Sequence, residues 1–221
     1  HGGPEGQELA TFNPFIQYLV SEGIAVAAPN VRGSTGYGKT YTHLDDVEKR
    51  LDSVKDIGSL VAYLVDSGIA DKDRMAVTGM SYGGFMTLSC ATRLPDLWCC
   101  AIDTVGMYNL ETFLENTAEY RRAHRETEYG SLAHHRQILR EVSPIAKVHD
   151  IQAPLMVIQG RNDPRVPAEE AEQVVGTLRE SGKTVEYLCY EDEGHGITKL
   201  KNQLDCYPKM AAFLKKYMKI N

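Results

Sequence analysis

The chain predicts an α/β fold, a mostly parallel sheet with helices on both faces. Three observations lead there. Short apolar runs alternate with amphipathic helical stretches along the whole sequence. The runs are continuously apolar, as in strands buried on both faces, instead of alternating in polarity. The composition is that of one ordinary globular domain over residues 1–221, with 43% hydrophobic and 24% charged residues. It shows no internal repeat, low-complexity tract or linker.

The elements follow in order. Leu9, Phe12, Phe15, Ile16, Leu19 and Val20 recur at helical spacing, so a helix is expected over 8–21, stopped by Gly23. Residues 24–28 (IAVAA) read as a buried strand, and NVRGSTGYG at 30–38 as a glycine-rich loop. Val54, Ile57, Leu60, Val61 and Leu64 lie on one side of an amphipathic helix expected over 45–66. A strand at 74–78, a helix at 81–93 and a strand at 98–103 come next. Residues 107–142 are rich in Glu, Arg and His and read as a helical excursion over the rest. Strands at 154–160 and 185–191 enclose a helix at 167–181 that Gly182 ends. A last helix spans 202–218.

The formal net charge is −6, which does not attract phosphate backbones, so no nucleic-acid partner is expected. No stretch approaches the roughly 18 apolar residues of a membrane span, so no membrane partner is expected either. The five cysteines, Cys90, Cys99, Cys100, Cys189 and Cys206, are odd in number and scattered. They read as reduced, buried thiols of a cytoplasmic protein. No His/Cys/Asp spacing suggests a metal site, and no G-x-G-x-x-G follows a strand, so no cofactor is expected. A homo-oligomer is compatible with the sequence. The chain opens on His1-Gly2-Gly3-Pro4 with no initiator Met or signal peptide, and reads as the interior of something longer.

Gly79-Met80-Ser81-Tyr82-Gly83 fits G-x-S-x-G between a strand and an apolar helix. That setting is the nucleophile elbow of an α/β-hydrolase fold, in which a tight turn presents the serine Oγ. A serine needs a base, and the elbow predicts an acid and then a histidine further along the chain. Asp163 follows the strand at 154–160, and His195 follows the strand at 185–191. Carboxyl ends of parallel strands lie on one side of a sheet, so Ser81, Asp163 and His195 can converge. Asp103 also ends a strand and is the rival acid; Asp163 is preferred for its fuller loop motif. Glu191, Asp192 and Glu193 read as a solvated acidic turn. For the oxyanion, the Tyr82 backbone N–H and the Gly3 N–H of the HGG loop are the candidate donors. His1 is expected to brace that loop.

Together the segments HGGP (1–4), NVRGSTGYG (30–38), GMSYGG (79–84), SPI (143–145), GRNDPRVP (160–167) and EGHG (193–196) resemble the catalytic domain of the prolyl oligopeptidase family of serine peptidases. Within it, the acylaminoacyl-peptidase branch is the most similar. The resemblance implies a Ser81–Asp163–His195 triad and an oxyanion hole from Gly3 and Tyr82. It also implies that Arg165 binds a substrate carbonyl; a surface arginine tied to Glu169 and Glu170 is the alternative. Members carry a β-propeller and the first strands of the hydrolase sheet ahead of HGGP. Neither lies in this sequence, so the chain is expected to be a fragment of a longer protein. The expected function is hydrolysis of short, including N-acylated, peptides through an acyl-enzyme, with a peptide or acyl-amino-acid substrate as partner. A carboxylesterase of the same fold is the first alternative, and an inactive hydrolase-fold binding domain the second.

Overall fold

The computed structural model describes residues 1–220. Four strands form one parallel sheet in the order of the sequence: β1 (Ala76–Met80), β2 (Cys100–Thr104), β3 (Leu155–Gly160) and β4 (Val185–Tyr190). Around it lie α1 (Pro14–Ser21), α2 (Lys39–Thr42), α3 (Asp52–Asp66), α4 (Tyr82–Arg93), α5 (Leu110–Asn116), α6 (Glu119–Tyr129), α7 (Arg136–Val142), α8 (Ala168–Glu180) and α9 (Leu200–Met218).

Strand periodicity separates the two faces of the sheet. Ala101, Leu155 and Val157 point to one face, where Leu88 and Ala91 of α4 and Val174 and Leu178 of α8 cover them. Cys100, Ile102, Met156 and Ile158 point to the other, under Leu19 of α1 and Met210, Phe213 and Leu214 of α9. β2 and β3 are buried throughout, as their unbroken apolar runs require. A further cluster joins α3 and α4 to the excursion, through Val54, Phe85, Leu110, Phe113, Tyr129 and Leu139.

Three expectations are corrected. The helix expected over 45–66 begins only at Asp52, after a separate short turn at Val47–Lys49. Residues 24–28 form no ladder, and only Ile24 is buried, in the cluster with α9. A strand exists through its partner, and an apolar run does not reveal whether one is beside it. The first helix begins at Pro14, not at residue 8. The Asn13 side chain accepts from Phe15 N (3.0 Å) and Ile16 N (3.2 Å) and fixes the start, leaving Leu9 and Phe12 exposed. The five thiols are free, but Cys99 and Cys189 are only half-buried. Among the described residues no helix is long and apolar enough to cross a membrane.

Candidate active site

β1 runs directly into the turn at Ser81. Ser81 has φ 61° and ψ −115°, a left-handed backbone that L-residues avoid. The turn is tight because a Cβ on Gly79 would lie 2.2 Å from the Gly83 carbonyl oxygen. Glycine is therefore required there. α4 starts at the next residue.

Asp163 lies just beyond β3 and is buried. Its Oδ1 accepts from the backbone N–H groups of Arg165 (2.8 Å) and Val166 (3.0 Å), which fixes the carboxylate plane and leaves Oδ2 for another donor. That donor is His195, whose Nδ1 lies 2.7 Å from Oδ2. On the far side of the ring, Nε2 lies 2.8 Å from Ser81 Oγ. The three side chains thus come from the ends of β1, β3 and β4, and the His195 side chain is 10% exposed.

The loops carrying Asp163 and His195 are closely joined. Asn162 N donates to Glu193 O (3.0 Å), Asn162 Nδ2 to Glu191 O (2.7 Å) and Arg161 N to Tyr190 O (3.0 Å). A Cβ on Gly160 would lie 2.1 Å from the Gly194 carbonyl oxygen, so the loops approach as nearly as backbones can. Glu193, expected in a solvated turn, is 2% exposed. Its carboxylate accepts from Thr198 Oγ1 (2.9 Å), Lys199 N (2.8 Å) and Asn202 Nδ2 (2.7 Å), which fastens the His195 loop to the start of α9. Three acidic residues in a row look solvated in sequence; nothing local marks the one that turns inward.

The HGG loop lies against the elbow, with the Gly2 Cβ direction 3.8 Å from Ser81 Cβ. The N–H groups of Gly3 and Tyr82 have no hydrogen-bond partner among the described residues. His1 braces the loop: its Nε2 lies 2.8 Å from the buried Ser34 Oγ of the NVRGSTGYG segment. Arg125 of α6 holds the same loop from outside, donating to Gly3 O at 3.2 Å.

Asp103 is not part of this group. It is 1% exposed on β2, packed against the Gly84 and Gly106 backbone, with Oδ1 unpartnered. Burial pushes its carboxyl up to about 7. The Arg165 side chain is exposed and makes no ion pair among the described residues. Glu170 is buried instead under Tyr108 N (3.3 Å) and Asn109 N (2.9 Å), at the start of α5.

One set among the described residues could share a cation: Glu5, His124 and Glu128 place ligand atoms within 4.8 Å of one another. Arg125 already supplies positive charge there, 3.2 Å from Glu128 Oε2. A surface groove of about 690 Å³ bordered by Leu51, Arg93, Leu94, Lys147 and Asp150 includes none of Ser81, Asp163, His195, Gly3, Tyr82 and Arg165.

The sequence profile of the prolyl oligopeptidase family matches residues 10–221. The chain belongs to that family. It is 35% identical over 220 residues to dipeptidyl peptidase family member 6 of Caenorhabditis elegans, covering 97% of this chain and 30% of the relative. It is 27% identical over 228 residues to the acylamino-acid-releasing enzyme of Arabidopsis thaliana, covering 100% of this chain and 30% of that one. Among solved structures, a puromycin-hydrolyzing peptidase of Mycobacterium tuberculosis superposes with a TM-score of 0.91 at 30% identity, over 100% of this chain and 34% of the other. The chain therefore spans about 30% of the length of the curated prolyl oligopeptidase relatives it matches.

Proposed function

We propose that the chain carries the catalytic apparatus of a serine peptidase that hydrolyses short peptides, N-acylated ones included, through an acyl-enzyme. The observation that supports this most directly is the His195 imidazole, hydrogen-bonded to Ser81 Oγ on one side and Asp163 Oδ2 on the other. Ser81 Oγ attacks the scissile carbonyl while His195 Nε2 takes its proton. Asp163 orients the ring and stabilises the imidazolium. The Gly3 and Tyr82 N–H groups receive the negative charge that develops on the carbonyl oxygen. His195 then returns the proton to the leaving amine. Water repeats the sequence on the acyl-serine and releases the acid, with His195 again as base. Arg165, exposed beside Asp163, takes a peptide carbonyl on the acyl side.

The relatives' names supply two substrate patterns, a dipeptidyl group and an N-acylated amino acid. A dipeptidyl anilide with a free amine, an acetyl-alanyl anilide and a nitrophenyl ester distinguish these patterns from each other and from a simple esterase. Ser81→Ala and His195→Ala are each expected to lower kcat on the best substrate by about 10⁴-fold or more, and the double variant is expected to be little worse, because the residues act as a unit. Ester hydrolysis without anilide hydrolysis would replace the peptidase reading with the esterase. Undiminished turnover in Ser81→Ala would end both.

A further inference from the structure

We propose that Arg50 is a positioning residue for the oxyanion donor: from inside the core it clamps the Tyr82 side chain, and so holds the Tyr82 backbone N–H beside Ser81. The proposal rests on the function proposed above.

Arg50 is fully buried. A guanidinium in a core is tolerated only when paired and hydrogen-bonded. Its Nη1 donates to Asp45 Oδ2 and to the Tyr82 hydroxyl (3.1 Å), and its Nη2 to the Glu128 carbonyl (2.8 Å). Its cationic carbon lies 5.4 Å from the Tyr82 ring centre and 4.8 Å from that of Tyr129. The Tyr82 hydroxyl donates in turn to Asp45 Oδ2 at 3.0 Å, closing a triangle. Burial pushes this phenol up to about 12, so it stays a neutral donor.

The location gives the triangle its role. Tyr82 follows Ser81 and opens α4, whose start has no side-chain cap. The next two residues are Gly83 and Gly84, which have no side chain to anchor. The Ser81 side chain faces His195. At the elbow the peptide joining Ser81 to Tyr82 is held on its carbonyl side, where Ser81 O accepts from Phe85 N (3.0 Å) and Ser81 N donates to Thr104 O (2.9 Å); on the Tyr82 side its tie to the core runs through the Tyr82 ring and hydroxyl. That tie is made by Asp45 and Arg50, with Ser53 Oγ also 3.3 Å from the hydroxyl, all three some thirty positions ahead of the elbow. An oxyanion donor acts only if it is aimed before charge develops, so the rigidity of this tie bears on the chemical step.

The test is Tyr82→Phe, which keeps the ring packed on Phe85 and under Arg50 and removes the hydroxyl's contacts to Arg50, Asp45 and Ser53. In the whole protein, kcat on ester and anilide alike is expected to fall about tenfold with KM unchanged. That is less than the 10²–10³ lost when a donor is removed outright. Affinity for a trifluoromethyl ketone, whose adduct with Ser81 carries the oxyanion, is expected to weaken by the same factor. Arg50→Lys keeps the charge, loses the fork, and is expected to show the same pattern. Should one variant not fold, the other carries the test. A lower Tm with wild-type kcat and ketone affinity would make the triangle a structural strut and overturn the proposal; so would a fall in kcat that ketone affinity does not follow. Fluorophosphonate labelling of wild-type Ser81 checks the underlying reading separately: its failure would sink that reading, whereas labelling with an unaffected Tyr82→Phe would sink the clamp alone.

Discussion

Asp163 divides its two carboxylate oxygens between backbone and imidazole, and the division explains why the loop after β3 has its form. Oδ1 is committed to the N–H groups of Arg165 and Val166, so the turn that orients the acid also places Arg165 at the rim. Arg165 carries several donors and no partner of its own, which suits a carbonyl on the acyl side of the scissile bond. Arg165→Ala is expected to lower kcat/KM on peptide anilides by about 2–3 kcal/mol and to leave nitrophenyl acetate nearly unchanged. Equal losses on the two substrates would make the residue a support of the Asp163 loop. Asp103 calls for a different measurement. Its folded carboxyl titrates at about 7 because burial disfavours the charge, while in the unfolded chain it titrates near 4. Between those values the folded chain holds a proton that the unfolded chain has released, so stability falls as pH rises through the window. The slope from this group is at most about 1.4 kcal/mol per pH unit. Denaturation followed from pH 4 to 8 is expected to show it in the wild type and to lose it in Asp103→Asn. An unchanged slope would mean that Asp103 is ionised in the fold.

At the scale of elements, the contact between the Asp163 and His195 loops is the demanding one. Gly160→Ala puts a methyl group into the Gly194 carbonyl and drives the Asp163 and His195 loops apart. Since an error of about 1 Å can cost 10²-fold, kcat is expected to fall by about that factor in a chain that still folds, read from anilide turnover beside circular dichroism. Wild-type kcat would show that the loops relax freely. The elements that form this site were legible in sequence for a common reason. β3 and β4 each end in a polar turn with its functional residue a few positions on, and β1 runs straight into G-x-S-x-G, so local pattern and position coincide. What escaped was non-local. The run at 24–28 carries the apolar residues of a strand, but pairing belongs to two segments at once. Glu193 looks like a solvated charge, and Arg50 draws no notice in the sequence, because their partners, Asn202 for one and Tyr82 and Glu128 for the other, lie on different elements. The start of α1 was hidden by Leu9 and Phe12, which fit the helical spacing yet lie outside the helix; the Asn13-Pro14 cap was the better signal.

Across the whole molecule, burial is uneven. β2 and β3 are sealed on both faces, whereas among the described residues β1 pairs only with β2, and Thr78 and Met80 on it are exposed. A strand edge of this kind pairs readily with another chain. Phe12 (80% exposed) and Leu9 (57%) add apolar surface. These 221 residues expressed alone are therefore expected to self-associate, as read by light scattering on a sizing column. A 24.6 kDa monomer that unfolds in one cooperative step would contradict this. The sequential strand order also governs timing. Ser81 and His195 stand 114 positions apart, with Asp163 between them. A ribosome adding about 5–20 residues per second thus exposes the elbow seconds before its base exists. On the function proposed above, the Ser81 hydroxyl has no base through that interval, and the nascent chain is expected not to cleave its neighbours or itself. On the proposed reading, reactivity arrives only with β4 and the His195 loop that follows it.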